Sequence, residues 1–492
     1  MDSTRSSGPL GVLGAALICL AVATPATPDA AATADAYRAF SRPLRTPPVI
    51  RPRGAVIKLP IERARISVMP GRPTTMWTYG GVFPGPTILA RSGRPVRVRF
   101  VNRLPKGASV STHFHGGHNP SRHDGQPHRY LVEPGEGRTY SYPLTFGGRA
   151  QRGAFLWYHD HRMNVTGRNI WRGLAGMFVL RDRLDRTLPL PKGRYDVPLM
   201  IVDRAFADGN RMPYPEGAHT MPPADAAVGP EILVNGVPQP YLEVAARRYR
   251  LRLLNASNFT SYNFRLGSGE RFVQVAGGQG LLPRPVRRET ILLGPAQRAE
   301  VVVDFHGHLG ERVLLQSVPR AQTEPGVGSA SADVMQFRVV ERAPDHSRVP
   351  RTLRPRPRWV RRASPTADRT WVFGLGADSS GRTVWTINGR PFDHGRIDAE
   401  VHRGSIETWE FVNASTVTHL IHPHGVPFAA LSRDGGPPDP WELGLEDTFR
   451  LDPGERLVAA AKFADYTGPY ILHCHMLEHE DHGMMAQFRV TP

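Results

Sequence analysis

Thirteen residues near the C-terminus concentrate donors that suit a soft metal ion: His473-Cys474-His475-Met476-Leu477-Glu478-His479-Glu480-Asp481-His482-Gly483-Met484-Met485. Cys474 is one of only two cysteines in the chain, and the other, Cys19, lies in an apolar N-terminal run. With that run removed, Cys474 has no partner for an internal disulfide. Just before it, Gly468-Pro469-Tyr470-Ile471-Leu472 reads as a strand entered from a turn. Successive side chains on a strand face opposite ways. His473 and His475 are therefore expected on one face and Cys474 on the other, so that one strand can serve two metal sites. A thiolate, two imidazoles and a weak, distant Met sulfur are the ligand set of a blue-copper electron-transfer centre. Cys474, His479 and Met484 supply three of the four, and one histidine must come from elsewhere. Taken alone, the motif also fits a buried free cysteine among incidental histidines.

The other histidines answer that alternative. Three more segments carry His-x-His: Thr112-His113-Phe114-His115, Tyr158-His159-Asp160-His161 and His419-Leu420-Ile421-His422-Pro423-His424. On a strand, His-x-His aims two imidazoles at one face. One such pair is weak and fits a hydrogen-bonded structural role equally well. The four pairs 113/115, 159/161, 422/424 and 473/475 in one chain are strong, because burying eight imidazoles is costly unless a metal satisfies them. A dinuclear zinc site would usually include Asp or Glu ligands and has no need of a lone Cys between histidines. Imidazole with thiolate favours copper.

The elements that must hold these residues read as β-strands. The 492 residues include 49 Gly and 47 Pro, so turns are frequent, and 40% hydrophobic residues are ample for sizeable cores. A phrase repeats three times. A strand led by Pro84-Gly85-Pro86, Val234-Asn235-Gly236 or Ile387-Asn388-Gly389 is followed by an alternating strand that stops at Asn102, Asn255 or Asn413. Each copy is followed by a second phrase: Glu133-Pro134-Gly135-Glu136, Gly294-Pro295-Ala296-Gln297 and Asp452-Pro453-Gly454-Glu455. An all-β chain of three similar β-sandwich domains is the economical reading. The boundaries fall near residues 55–182, 183–342 and 366–492, with an Arg/Pro-rich linker at 343–365. Only the first and third domains carry His clusters; the second has His219, His306 and His308 and is expected to hold no copper. Helical periodicity is weak, with Gly167 to Gly173 the best short candidate.

Arg5 followed by the apolar run Leu10 to Ala23 and then small residues reads as a secretory signal, giving a signal peptide and flexible N-terminus over residues 1–36 and a secreted or cell-envelope location. An uncleaved anchor is the alternative; no later segment could span a bilayer. The net charge is +18, nearly all of it from dispersed arginine. No nucleic-acid motif accompanies it, so solvated surface with some attraction to anionic partners is the expectation.

The four His-x-His motifs and the Cys474 motif resemble those of the multicopper oxidases, the family of laccases, spore-coat laccases, bilirubin oxidases and phenoxazinone synthase-like enzymes, over most of the mature chain. The resemblance implies three consecutive cupredoxin-like Greek-key sandwiches and four coppers. It assigns His419, Cys474, His479 and Met484 to a type 1 copper, and His113 and His422 to a type 2 copper. His115, His159, His161, His424, His473 and His475 go to a type 3 pair. In the family's usual H-P-x-H-x-H, Pro follows the first His; here Pro423 follows the second. Met485 beside Met484 leaves the axial ligand resting on spacing alone. Asp124 and Glu480 match acids the family uses to deliver protons; the alternative for each is a surface carboxylate or one that orients a histidine. His118, His123, His128 and His482 have no ligand counterpart and are expected to be solvated.

The implied activity is one-electron oxidation of a donor coupled to four-electron reduction of O2 to water, by a monomer without nucleic-acid or stable membrane partners. A phenol or aromatic amine is the default donor, with Mn(II) or Cu(I) the rival. No Met-rich insertion appears, and Val417 stands where bilirubin oxidases tend to carry Trp. The alternative of another class is a copper-binding or electron-transfer protein with no oxidase activity, or a scaffold that has lost its copper. All twelve ligand positions are filled, which speaks against the last.

Overall fold

Alternation in the sequence becomes alternation in burial. Along Val96–Asn102 the side chains run buried, exposed, buried, exposed, buried, so Val96, Val98 and Phe100 enter a core while Arg97 and Arg99 meet water. A computed structural model describes residues 37–320 and 331–492 of the chain, except 221 and 223. The signal peptide expected within residues 1–36 lies outside them.

Six of the sheets group as three sandwiches in chain order. The first packs a five-stranded sheet, which includes Gly85–Arg91, Ala154–Asp160 and Ala175–Arg181, on a four-stranded one around Ile61, Phe100, Phe114, Tyr158 and Phe178. The second joins a seven-stranded and a five-stranded sheet around Leu251, Leu253, Phe264, Val301 and Phe337. The third packs two five-stranded sheets around Trp371, Trp385, Trp409, Phe411, Tyr470 and Phe488. Another apolar cluster joins Phe155, Trp157 and Met177 of the first sandwich to Met200, Leu233 and Leu254 of the second. Among the described residues no helix is long and apolar enough to cross a membrane.

The repeated phrases have one atomic meaning. Asn102, Asn255 and Asn413 are buried, and each donates its side-chain amide to two backbone carbonyls: Ala108 and Val132 (2.8 and 2.8 Å), Thr260 and Leu293 (2.8 and 2.9 Å), Val417 and Leu451 (2.8 and 3.0 Å). Each Asn also accepts a backbone N–H two residues on, from Leu104, Ser257 or Ser415 at 3.0 Å. The Asn carbonyl in turn accepts from the residue after the Pro of the second phrase, Gly135, Ala296 or Gly454. That residue has positive φ, +90°, +67° and +81°. A Pro followed by a left-handed residue is the chemistry of a type II turn, and Ala296 takes a conformation that glycine adopts without strain.

The arginines depart from the expectation of a solvated charge. Arg204, Arg250, Arg252 and Arg298 are buried. Arg250 and Arg252 form a closed ion network with Asp185, Asp196 and Glu300, and Arg181 joins it from the first sandwich. Buried guanidinium survives because it is paired, as in Arg250, Arg252 and Arg298, or hydrogen-bonded to carbonyls, as Arg204 is to Asp203 and Ile170.

Five elements carry the His and Cys motifs: β1 (Thr112–His115), β2 (Ala154–Asp160), β3 (His419–Pro423), β4 (Gly468–Cys474) and α2 (Leu477–Asp481); α1 (Thr166–Trp171) packs beside α2. The helix expected near Gly167 is α1.

Candidate metal centre

Two antiparallel ladders assemble the imidazoles. In the first sandwich β2 pairs with β1 so that His159 lies opposite His113 and Trp157 opposite His115. In the third, β4 pairs with β3 so that His473 lies opposite His422 and Cys474 opposite Ile421. Side chains directly opposite on one face are neighbours, so each ladder turns two His-x-His pairs into a four-imidazole surface. Pro423 closes β3 opposite Leu472 without disturbing that register. The two surfaces meet face to face. His422 Nε2 lies 3.4 Å from His113 Nε2, and His473 Nε2 lies 3.2 Å from His161 Nε2 and 3.1 Å from His424 Nε2. The His115 ring stacks on His422 with centroids 3.8 Å apart, and the His475 ring lies 5.0 Å from His115 and 5.3 Å from His159.

All eight side chains are buried. Burial, and in most of them repulsion among the imidazoles, lowers their pKa values, to about 3 for His159 and about 4 for His422. The rings are therefore neutral, with lone pairs free to bind a cation. The far side of several rings is anchored. His113 Nδ1 donates to the Asp124 carbonyl at 2.5 Å, and His422 Nδ1 to the Asp447 carbonyl at 2.5 Å. His159 and His473 each donate Nδ1 to a backbone carbonyl beside them, at 2.8 and 2.9 Å. These bonds leave Nε2 as the inward-facing acceptor.

Cys474 faces away from this cluster. Its sulfur lies 3.5 Å from His419 Nδ1 and 3.6 Å from His479 Nδ1, and the two nitrogens are 3.2 Å apart. A triangle of that size is what three donors form around one ion to which each bonds at roughly 2 Å. Met484 is buried in the same apolar cluster as Cys474, whereas Met485 sits opposite His473 across the β4 ladder. Burial pushes the Cys474 thiol up to about 12. A metal must therefore displace its proton to bind. His419 Nε2 is held by Ser415 Oγ at 2.8 Å. His479 is fully buried under Phe259 and Trp385, with Asp225 Oδ1 3.9 Å from its Nε2.

Two carboxylates flank the imidazole cluster. Asp124, at the end of a 3-10 turn, has its Oδ2 2.7 Å from His424 Nδ1. Gly125, at φ +84°, makes this fit possible: a Cβ there would lie 2.4 Å from the His113 Cα and the Thr112 carbonyl oxygen. Glu480, on α2, places Oε1 3.3 Å from His161 Nδ1 and Oε2 3.2 Å from His473 Nδ1, and accepts from Thr166 Oγ1 at 2.7 Å. Neither is a surface carboxylate; both are buried, which raises their pKa values. Asp481 accepts the backbone N–H groups of Thr166 and Gly167, each at 2.9 Å, and so fixes α2 against α1.

Sequence reasoning missed a third carboxylate. Asp447 Oδ1 lies 3.1 Å from His115 Nε2, and Arg298 of the second sandwich grips both Asp447 oxygens at 2.6 Å. Arg298 also donates to the carbonyls of Phe155 (3.0 Å), Ala296 (3.0 Å) and Gly278 (2.7 Å), and Gln279 Nε2 reaches Asp447 Oδ2 at 2.6 Å. Burial would raise the Asp447 carboxyl, but Arg298 prevails and lowers it. The second sandwich thus clamps this corner through Arg298. The one available signal was Arg298 following the Pro295-Ala296 turn.

None of the four histidines expected to be solvated is exposed, and His123 and His128 are half-buried. His118 is buried, with Nε2 2.8 Å from Asp465 and Nδ1 2.5 Å from the Gly425 carbonyl, so it staples the first sandwich to the third. His482 is partly buried and pairs with Asp225 at 2.7 Å, which raises its pKa.

Residues 61–185 and 365–492 each match the multicopper oxidase family. The laccase of Bacillus subtilis is 35% identical over 478 residues, covering 85% of this chain and 91% of that protein. The chain belongs to the multicopper oxidases. The bilirubin oxidase of Albifimbria verrucaria is 33% identical over 92% of this chain and 82% of its own. The structure of a variant of the multicopper oxidase McoA from Aquifex aeolicus superposes with a TM-score of 0.80 at 30% identity, over 92% of this chain and 100% of that one. The three sandwiches are thus cupredoxin-like, and the protein is a copper-dependent oxidoreductase of laccase type with O2 as acceptor.

The side chains of this multicopper oxidase fit copper. His115 Nδ1, His159 Nε2 and both His475 nitrogens are buried without a hydrogen-bond partner. Facing imidazole nitrogens 3.1 to 3.4 Å apart cannot all be donors and acceptors to each other. The sites 113/422/424, 113/115/159 and 161/424/473 each bring three nitrogens within 4.8 Å of one another, and so do the ligand atoms of 419/474/479. Imidazole and thiolate are the donors copper prefers.

Proposed function

We propose that this multicopper oxidase takes electrons singly from a phenol or aromatic amine beside His479 and uses them to reduce O2 to water among the eight imidazoles. His419, Cys474, His479 and Met484 would hold a type 1 copper, His113 and His422 a type 2 copper, and His115, His159, His161, His424, His473 and His475 a type 3 pair. Bound there, four coppers supply the one-electron storage and O2 reduction that side chains cannot.

The single observation that carries the reading is the sequence His473-Cys474-His475 at the end of β4. Cys474 lies in the sulfur triangle while its two covalent neighbours lie in the imidazole cluster. The backbone therefore gives electrons a continuous covalent route from one cluster to the other.

The remaining steps belong to the chain's own groups. Asp124 holds His424 through Nδ1, and Glu480 touches the Nδ1 atoms of His161 and His473. Each keeps an imidazole in one orientation. Burial raises the pKa of both carboxyls, which favours their taking up a proton and passing it to the site where O2 reduction consumes it. At the other end, Trp385 covers His479 with ring centroids 4.3 Å apart, and its indole N–H donates to Asp225 at 2.9 Å. Trp385 and Asp225 are themselves buried, so electrons from a donor at the surface would cross this layer before the imidazole. The names of the laccase and bilirubin oxidase relatives support an organic donor.

The test pairs an absorption spectrum of the copper-loaded protein with an oxygen-electrode trace on a simple phenol. A blue protein that consumes O2 with the phenol, and loses both properties in Cys474→Ser, supports the reading. A blue protein that consumes no O2 with any phenol, aromatic amine, Mn(II) or Cu(I) would make it an electron-transfer protein instead.

A further inference from the structure

The first sandwich carries a feature remote in kind from either cluster: a concave cleft of about 1340 Å³ walled by guanidinium groups. Arg51 and Arg53 approach from the segment that follows the edge strand Val49–Ile50, Arg91 and Arg94 from a tight turn, Arg97 from a strand and Arg186 from beyond the last strand. Seven of its 16 lining residues are arginine and none is acidic, whereas only 62 of the chain's 492 residues are Lys or Arg. The chain's general basicity does not account for that density.

Arg181, the seventh, is neutralised by Asp185 and Asp196. The others are not. Arg51, Arg53, Arg91, Arg94, Arg97 and Arg186 form no ion pair among the described residues, and all six are exposed. The backbone holds them together. Gly93, at φ +75°, donates to the Leu144 carbonyl, and Arg94 N donates back to the Arg91 carbonyl, so this turn projects both side chains. Arg97 Nη2 reaches the Gly54 carbonyl at 3.4 Å, which ties the Arg51–Arg53 segment to the strand. Like charges gathered on a fixed frame repel, and a concave wall focuses their field. A multiply charged anion relieves that repulsion. Guanidinium is planar with fork geometry, and matches phosphate oxygens two at a time.

We propose that this cleft binds a soluble oligophosphate-type polyanion, several phosphate groups strung on one ligand. Its volume and its six unpaired guanidinium groups suit a chain of groups better than a single ion. Its concavity suits a free chain better than a flat array of anionic lipid headgroups, which would touch only the rims.

The experiment uses the copper-loaded full chain at low ionic strength, because exposed charge pairs weaken with salt. Tripolyphosphate is titrated calorimetrically against the unaltered protein, against Arg51→Gln/Arg53→Gln/Arg94→Gln, and against Arg361→Gln/Arg362→Gln/Arg403→Gln. The second triple removes the same charge from exposed positions outside the cleft. Orthophosphate and phosphatidylglycerol vesicles form the other arms. Tripolyphosphate should bind at least about tenfold more tightly than orthophosphate. The cleft triple should lose about tenfold in affinity, as three charge-assisted contacts go, while the control triple stays within about twofold. Both triples are read for retained blue absorbance and melting temperature; Arg94→Glu alone replaces the cleft triple should that variant misfold. The proposal fails if the two triples weaken alike, if tripolyphosphate does not bind, or if only the vesicles bind.

Discussion

The two clusters differ in what builds them. The sulfur triangle takes all three of its ligands, His419, Cys474 and His479, from the third sandwich, in one apolar core that includes Cys474, Met484 and Trp385 and is lined on one side by Phe259 of the second. The imidazole cluster has half its members on β1, β2 and the residue after it, and half on β3, β4 and the residues that follow them. It lies at a junction that Asp124, Glu480, His118 and the Arg298–Asp447 clamp all bridge. A site inside one core inherits its precision from side-chain packing. A site between cores needs polar groups that reach across, each paired, because an unpaired charge there would be costly. The difference predicts that loss of one sulfur ligand will leave the junction standing, while loss of a bridging group will damage the junction and spare the triangle.

Cys474→Ser should have the largest effect. It should abolish the blue absorption and the oxidation of phenols, while copper analysis still finds most of the remaining metal on the protein. Full loss of all copper would break the comparison, since it would make the two clusters one cooperative unit.

Arg298→Leu comes next. It leaves Asp447 buried without its partner, and breaking such a pair costs about 3–5 kcal/mol. Denaturant unfolding should register that loss, and copper analysis should find the imidazole cluster depleted while the blue band persists. Equal loss of the blue band would show that the clamp supports the whole fold and not one corner of the cluster.

Asp124→Asn and Glu480→Gln should slow O2 reduction by about 10- to 100-fold, the usual cost of removing a group that orients a ligand. Single-turnover reduction of the blue band by a phenol should be nearly unchanged. If reduction of the blue band slows as much as O2 consumption, these acids do not act at the imidazole cluster alone.

Met484→Leu should have the smallest effect. Leu is close to Met in volume, so the cost in stability should stay under about 1.5 kcal/mol. The fold and blue colour should persist, and the reduction potential should rise because oxidised copper loses a weak donor. Met485→Leu should change neither. A redox titration in which Met485→Leu shifts the potential and Met484→Leu does not would reassign the axial position.

Much was legible because strand periodicity is a local rule. The period of two in His473-Cys474-His475 already divides one strand between two clusters, and the three Asn phrases already mark three like sandwiches. Their side-chain bonds each stay within one sandwich and span at most 38 positions of sequence. The carboxylates were legible as residues, but their burial against histidine Nδ1 atoms was not. Asp124 meets His424 across 300 positions of sequence, and Glu480 meets Thr166 across 314. Arg298 and Asp447 lie 149 positions apart in different sandwiches, and neither belongs to a motif with a spacing of its own.

By itself, then, the sequence determined the strands, their turns, the faces on which the imidazoles stand and the type of metal those donors suit. Each follows from a residue and its near neighbours. Only the tertiary structure decided which faces meet, which charges are buried, and that the middle sandwich holds Asp447 in place. Those outcomes depend on docking separate cores, where shape and the pairing of buried charges select one arrangement, and no short-range pattern records that choice.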